Sequence, residues 1–176
     1  MKKIVLTMMA AMVAVVMDAQ VYVGGSVGFQ TVSHDGNSTT AFTLKPEVGY
    51  NLNEDWAIGM AFGYSESGKD ESKVKTFIIN PYARYNAVKL DKVTLFLDGA
   101  FEYTNTKYDK YKINKWGLGV KPGIAVALTD NLSLVSHMGF IGYSSSKPDY
   151  DGAKATNTFG VDLDANSIDF GLYYNF

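Results

Sequence analysis

The chain has 176 residues and a net charge of −2 at pH 7, with 16 basic residues against 18 acidic ones. That balance supplies no basic excess of the kind nucleic-acid binding requires. It has no cysteine, which excludes both disulfide staples and a lipid anchor on Cys.

The first element is a leader. Lys2 and Lys3 precede an uncharged apolar run, Ile4–Met17, of 14 residues. A membrane-spanning helix needs about 20 residues, so the run is too short to span. A basic start, a short apolar stretch and a small residue before a cut define a secretory signal peptide over residues 1–19, cut after Ala19. Met17, three positions before the cut, is not small and leaves the exact cleavage site open. Residues 20–176 then form one domain by length. Loss of Lys2, Lys3 and Asp18 takes the net charge from −2 to −3.

Helical periodicity is missing from the rest of the chain. Period-two alternation recurs instead in segments of about ten residues, which predicts transmembrane β-strands. The first, VYVGGSVGFQT, sets Val21, Val23, Val27 and Phe29 against Tyr22, Gly24, Ser26 and Gly28. The second sets Phe42, Leu44, Pro46, Val48 and Tyr50 against Thr43, Lys45, Glu47 and Gly49. The third sets Trp56, Ile58, Met60, Phe62 and Tyr64 against Ala57, Gly59, Ala61 and Gly63. In the fourth, Phe77, Ile79, Pro81, Ala83 and Tyr85 oppose Asn80, Tyr82, Arg84 and Asn86. In the fifth, Leu95, Leu97, Phe101 and Tyr103 oppose Asp98, Ala100 and Glu102. In the sixth, Trp116, Leu118, Val120, Pro122, Ile124 and Val126 oppose Gly117, Gly119, Lys121 and Gly123. The seventh, LSLVSHMGFIGY, is the least regular, with Leu132, Leu134, Met138 and Phe140 placed on one face. The eighth ends the chain: Ile168, Phe170, Leu172, Tyr174 and Phe176 alternate without a break.

Large apolar residues share one face, and small or charged residues share the other. In a membrane barrel the large face meets lipid and the small polar face fills a narrow lumen. The connections agree. Segments 51–55, 86–92 and 129–131 are short, and they alternate with longer polar stretches at 33–39, 65–73, 104–112 and 144–157. Short turns on one side and long loops on the other mark outer-membrane barrels. Tyr50, Trp56 and Tyr85 flank the short turns, while Phe29, Phe42, Tyr64, Phe77, Tyr103 and Trp116 lie near the long ones, as two interfacial girdles would. The predicted fold is all-β: an eight-stranded antiparallel up-and-down transmembrane barrel following a cleaved signal peptide. Pro46, Pro81 and Pro122 sit in mid-strand, where a missing donor predicts local bulges.

The stretches LKPEVGYNLNEDWAIGMAFGY, NPYARYN, WGLGVKPGIAVALTDNLSL and the terminal FGLYYNF resemble the small eight-stranded outer-membrane barrels of Gram-negative bacteria, the OmpX/OmpA type. Gln20 after the cut is similar to secreted proteins of Bacteroidetes. The resemblance implies residence in the outer membrane among its lipids and insertion by the barrel assembly machinery. It also implies that Phe176, with Tyr174, Leu172, Phe170 and Ile168 at alternate positions, is the assembly signal. The fold alone hosts adhesins, enzymes, pores and anchors.

Chemistry has few parts to work with: two histidines and no cysteine. Ser133 or Ser136 near His137 supplies two members of a Ser–His–acid set, but neighbours along a strand point to opposite faces. The stretch 162–166 with Asp169 is oxygen-rich, but it lacks the Gly and Glu of a calcium loop and reads as a solvated loop. No cofactor, metal or catalytic residue is expected. The strand phases instead send Lys45, Glu47, Arg84, Asp98, Glu102, Lys121 and Asp169 into the lumen as a mutually paired network, with Arg84 expected to meet Glu47 or Asp98. The function this predicts is non-enzymatic: a structural or surface-interaction protein that meets an extracellular ligand through its outer loops. A narrow solute channel and, behind it, a lipid-directed enzyme are the alternatives.

Overall fold

The computed structural model describes residues 20–34, 37–68, 73–162 and 168–176, with side chains described outside 28–41 and 162–169. The leader expected at 1–19 falls outside the described residues. Ten strand segments follow one another: β1 (Val21–His34), β2 (Asn37–Asn51), β3 (Trp56–Ser67), β4 (Val74–Lys89), β5 (Val93–Lys107), β6 (Lys112–Ala127), β7 (Leu132–Met138), β8 (Phe140–Pro148), β9 (Thr156–Asp162) and β10 (Ile168–Asn175). Consecutive strands pair antiparallel from β1 to β6. Both β7 and β8 pair with β6, so together they are one interrupted strand. In the same way β9 pairs with β8, and β10 with β7. The ring closes where β10 meets β1, Tyr22 opposite Asn175 and Ser26 opposite Gly171. The result is a closed eight-stranded barrel. No helix of the described residues is long and apolar enough to cross a membrane, a limit that does not bear on crossing by strands.

Closure follows from hydrogen bonding. An open edge in lipid leaves a row of unpaired N–H and C=O groups, so the last strand must find the first. Beyond the ladder, the Phe176 amide donates to the Val21 carbonyl at 3.1 Å and the Asn51 amide to the Gln20 carbonyl at 2.7 Å. The start of β1 and the C-terminal Phe176 therefore lie together at the short-turn end. Those turns carry their own side-chain caps. Asn53 Oδ1 accepts from the Asp55 and Trp56 amides at 2.9 Å each, and Thr129 Oγ1 accepts from the Leu132 amide at 3.0 Å.

The hairpins at the other end differ from the sequence expectation. Much of what reads as long loop is strand: β5 and β6 stay paired out to Lys107 opposite Lys112, and a tight turn at 108–111 joins them. Polar residues on both faces hide the alternation without removing the backbone pairing. The fourth strand likewise continues through 86–89, with its ladder irregularity between Asn86 and Val88.

The seventh strand also corrects the reading. Leu134 and Met138 are exposed on the outer wall, but Phe140 is not on their face. Gly139 has φ 69°, a left-handed conformation that suits glycine, and it separates β7 from β8. One extra residue there reverses the alternation, so Ile141 takes the outward position and Phe140 turns inward. Its ring fills the space over Gly119 and Gly142, where a Cβ would come within 2.7 Å and 2.9 Å of Phe140 Cζ.

The three prolines are handled by gaps rather than by register-shifting bulges at Pro46 and Pro81. The β2–β3 ladder skips Lys45 and Pro46 and resumes in the same register at Glu47. On the other side Gly25 lies opposite Pro46, where a Cβ would stand 2.9 Å from the proline Cα. The β4–β5 ladder skips Asn80 and Pro81 and resumes at Tyr82. There Asn80 Nδ2 donates to the Phe101 carbonyl at 2.9 Å, so a side-chain amide stands in for the donor that proline lacks. Pro122 falls between the end of the β6–β8 ladder at Val120 and the start of the β6–β7 ladder at Gly123, opposite the Gly139 break.

Candidate functional site: the lumen plug

Strand alternation carries the charged residues inward, and the barrel is narrow enough for them to meet. Glu47, Arg84 and Asp98 are 3%, 7% and 2% exposed. Arg84 and Asp98 are cross-strand neighbours on β4 and β5. Arg84 Nε and Nη2 each donate to one Asp98 oxygen at 2.8 Å, a bidentate pairing. Glu47 lies 3.9 Å from Arg84 Nη2 and takes its hydrogen bonds elsewhere. The Tyr173 hydroxyl donates to Glu47 Oε2 at 2.5 Å, and the Tyr82 hydroxyl donates to Oε1. Tyr22 and Tyr82 share a further hydroxyl contact of 2.5 Å.

Rings seal this layer. The Arg84 guanidinium sits 3.9 Å from the centroid of Phe96 and between 5.2 and 5.9 Å from those of Tyr22, Tyr82 and Tyr173. A cation over aromatic faces is stabilised by the ring quadrupole, and most strongly where water is excluded. Tyr22 and Tyr173 stack at 5.7 Å. Small residues on the lumen wall make room for the rings: a Cβ at Gly59 would lie within 2.9 Å of Tyr82 Cε1.

A second cluster sits on the long-hairpin side of this layer. Lys121 Nζ donates to Glu102 Oε2 at 2.7 Å and to Asn80 Oδ1 at 3.2 Å. Lys45 lines the same small space, about 20 Å³, with Glu47, Asp98 and His137. On the other side lies a vestibule of about 140 Å³ at the short-turn mouth, lined by Asn51, Asn86, Asn175, Thr94 and Ser133, with Arg84 at its inner end. Among the described residues, no buried side-chain nitrogen or oxygen lacks a partner.

Six of the seven lumen charges named from the sequence are thus on the inner wall and in contact or close to it. The Asp169 side chain lies outside the described residues, as does most of the oxygen-rich stretch at 162–166. Sequence reasoning placed His137 as a structural or lumenal residue without joining it to the charge network, and left the three tyrosines out of that network. His137 Nε2 is 2.9 Å from Asp98 Oδ2 and 3.3 Å from Arg84 Nη2, which ties the histidine into the plug. The inward phase of Tyr22 and Tyr82 was legible, but not their convergence on Glu47. Ser133 is inward like His137 but four residues away, about 13 Å along a strand and beyond hydrogen-bond reach. Ser136 alternates to the opposite face. Among the described residues no three potential ligands cluster to hold a metal.

On the outer wall Trp56 and Tyr85 pack at 4.9 Å near the short turns, and Trp116 and Tyr143 at 5.4 Å toward the long hairpins. Leu97, Leu118, Val161 and Leu172 lie exposed between or beside these belts. Aromatic belts flanking an apolar band are the surface that a bilayer selects. The sequence matches the outer membrane protein beta-barrel domain over residues 4–176. The chain belongs to that family. Its place is accordingly the outer membrane, with its outer wall in lipid.

Solved structures agree on the fold. Neisserial surface protein A is 19% identical, with a TM-score of 0.54, covering 89% of this chain and 97% of its own. The outer membrane protein OprG from Pseudomonas aeruginosa is 11% identical, with a TM-score of 0.53, covering 89% and 96%. A search of curated protein sequences found no match.

Proposed function

We propose that this barrel is a non-enzymatic outer-membrane protein that meets extracellular partners through its long hairpins, with the barrel itself as their anchor. The observation that supports this reading is the lumen plug. Arg84, Asp98, Glu47, His137 and three tyrosines fill the axis from wall to wall and satisfy one another. A filled axis leaves no continuous water path for a solute, and Glu47, Arg84 and Asp98, 3%, 7% and 2% exposed, are out of a substrate's reach. Function on such a fold is then left to what projects from it. The assembly signal at Ile168, Phe170, Leu172, Tyr174 and Phe176 belongs to the same proposal: alternating apolar residues at the barrel seam are what the assembly machinery would read.

The test has two arms. Purified protein in a planar bilayer should give no steady conductance; a stable open channel would put the solute-pore reading first. Cells displaying the wild type should bind host-cell or matrix surfaces better than cells displaying a version with the β3–β4 and β8–β9 hairpins shortened. Equal binding by both would remove the loop-mediated role.

A further inference from the structure

The outer wall carries a second polar site, above the aromatic belt and outside the lumen. Cross-strand register sets Lys75 of β4 opposite Lys107 of β5, and Lys107 opposite Lys112 of β6. Three lysines on three adjacent strands therefore share one row and one face. Alternation fixes that face as the outer one, because Lys107 is in phase with exposed Tyr103 and Lys112 with exposed Trp116. One row down, Asn105 pairs with Asn114, and Asn114 with Lys147 of β8, which adds a fourth outward lysine. All four lysines are exposed. None forms an ion pair within 4.0 Å among the described residues; Glu66 of β3 lies directly opposite Lys75 on the same face, but its carboxylate is held by Lys73 at 3.4 Å and by the Tyr64 hydroxyl at 2.9 Å. Asp149 continues the β6–β8 register beside Lys112, its amide donating to the Lys112 carbonyl at 2.8 Å, so the four lysines stand against two carboxylates, Glu66 and Asp149.

Like charges directly opposite in a sheet are destabilising, and the four lysines outnumber the two carboxylates beside them, so an anion bridging Lys107, Lys112 and Lys147 would relieve the repulsion. Position says which anion. Lys107 is four residues beyond Tyr103 of the aromatic belt, about 13 Å along the strand and about 10 Å along the membrane normal at the usual barrel tilt. A lysine stem can lie back along the wall and bring its ammonium to the headgroup layer. Between belt and row, the Tyr103 hydroxyl and Asn105 Nδ2 both donate to Asn114 Oδ1, at 3.0 Å and 2.6 Å. Asn114 keeps its Nδ2 donors for a polar ligand lying against the wall. We infer that Lys75, Lys107, Lys112 and Lys147, over the Tyr103–Asn105–Asn114 cluster, bind the phosphorylated sugar headgroup of an outer-leaflet glycolipid. Three or four cations spaced along a wall suit a headgroup with more than one phosphate, and the amides and hydroxyl below suit its sugar. This site lies on the barrel wall and does not depend on what the hairpin tips bind.

The experiment titrates the purified full-length barrel in detergent with bisphosphorylated lipid A, following the fluorescence of Trp116 beside the site. Binding should saturate, and lipid A stripped of phosphate should bind far more weakly. Lys107→Gln with Lys112→Gln should weaken binding about fivefold for each lysine removed. Lys107→Arg with Lys112→Arg should keep it, and Lys92→Gln at the opposite end of the barrel should leave it unchanged. Unboiled gel mobility of each variant checks that the barrel is folded. Equal affinity of the glutamine variant and the wild type, or equal affinity for phosphorylated and phosphate-free lipid, would overturn the assignment. Neither result bears on conductance or cell binding, so this inference and the loop-mediated role fail separately.

Discussion

Arg84 and Asp98 face each other across β4 and β5, and Arg84 donates two hydrogen bonds of 2.8 Å to the Asp98 carboxylate in the middle of the barrel. A buried pair of this kind is weak evidence for added stability, because both ions were taken out of water. Its loss is a different matter. Arg84→Ala would leave Asp98 with His137 alone and leave Glu47 beside an empty space. We expect a loss of about 3–5 kcal/mol, reduced by whatever water enters from the vestibule. Urea unfolding in lipid vesicles measures it. The Arg84→Ala, Asp98→Ala double variant should lose less than the two single losses together. Additive losses would mean that the two residues act separately.

Asn80 and Pro81 give a test of the repaired ladder. Asn80→Ala should leave the Phe101 carbonyl without its donor and cost about 1–3 kcal/mol. In a Pro81→Ala background the backbone N–H is restored, and the same Asn80→Ala change should cost less. An undiminished cost would show that Asn80 acts through its contact with Lys121 and not through the ladder.

Gly59 lies beneath the Tyr82 ring. Gly59→Ala should push that ring off Glu47 and destabilise the barrel by about 1–3 kcal/mol, the usual range for overpacking. With Tyr82 already replaced by Ala, the added methyl group has room, and its cost should largely vanish. Persistence of the full cost would place the constraint in the backbone of β3 rather than in the packing of the plug.

Phe176 packs edge-on against Tyr174 at 4.8 Å, at the end of the closing strand. Deleting Phe176, or replacing it with Asp, should sharply reduce the amount of protein in the outer-membrane fraction while leaving export across the inner membrane intact. Fractionation and immunoblotting provide the measurement. Wild-type levels after deletion would show that assembly does not read this residue.

The strands, the closed barrel and the inner wall were legible in the sequence for one physical reason. The side-chain period of a strand is two, so a single chain segment states which residues face lipid and which face the lumen. Trp56, Ile58 and Met60 against Ala57, Gly59 and Ala61 is such a statement, and so is the row from Phe170 to Phe176. What the tertiary structure decided depends on contacts between distant strands. Tyr173 and Glu47 are 126 positions apart, and their bond follows from barrel closure and stagger, which no local pattern records. The same holds for His137 on Asp98, 39 positions away, and for the alignment of Lys75, Lys107 and Lys112 in one row. The reversal at Gly139 escaped because a single left-handed residue shifts the phase while both flanking segments keep their alternation. The extended hairpins escaped because backbone pairing continues where both faces are polar and the contrast that marks a strand is gone.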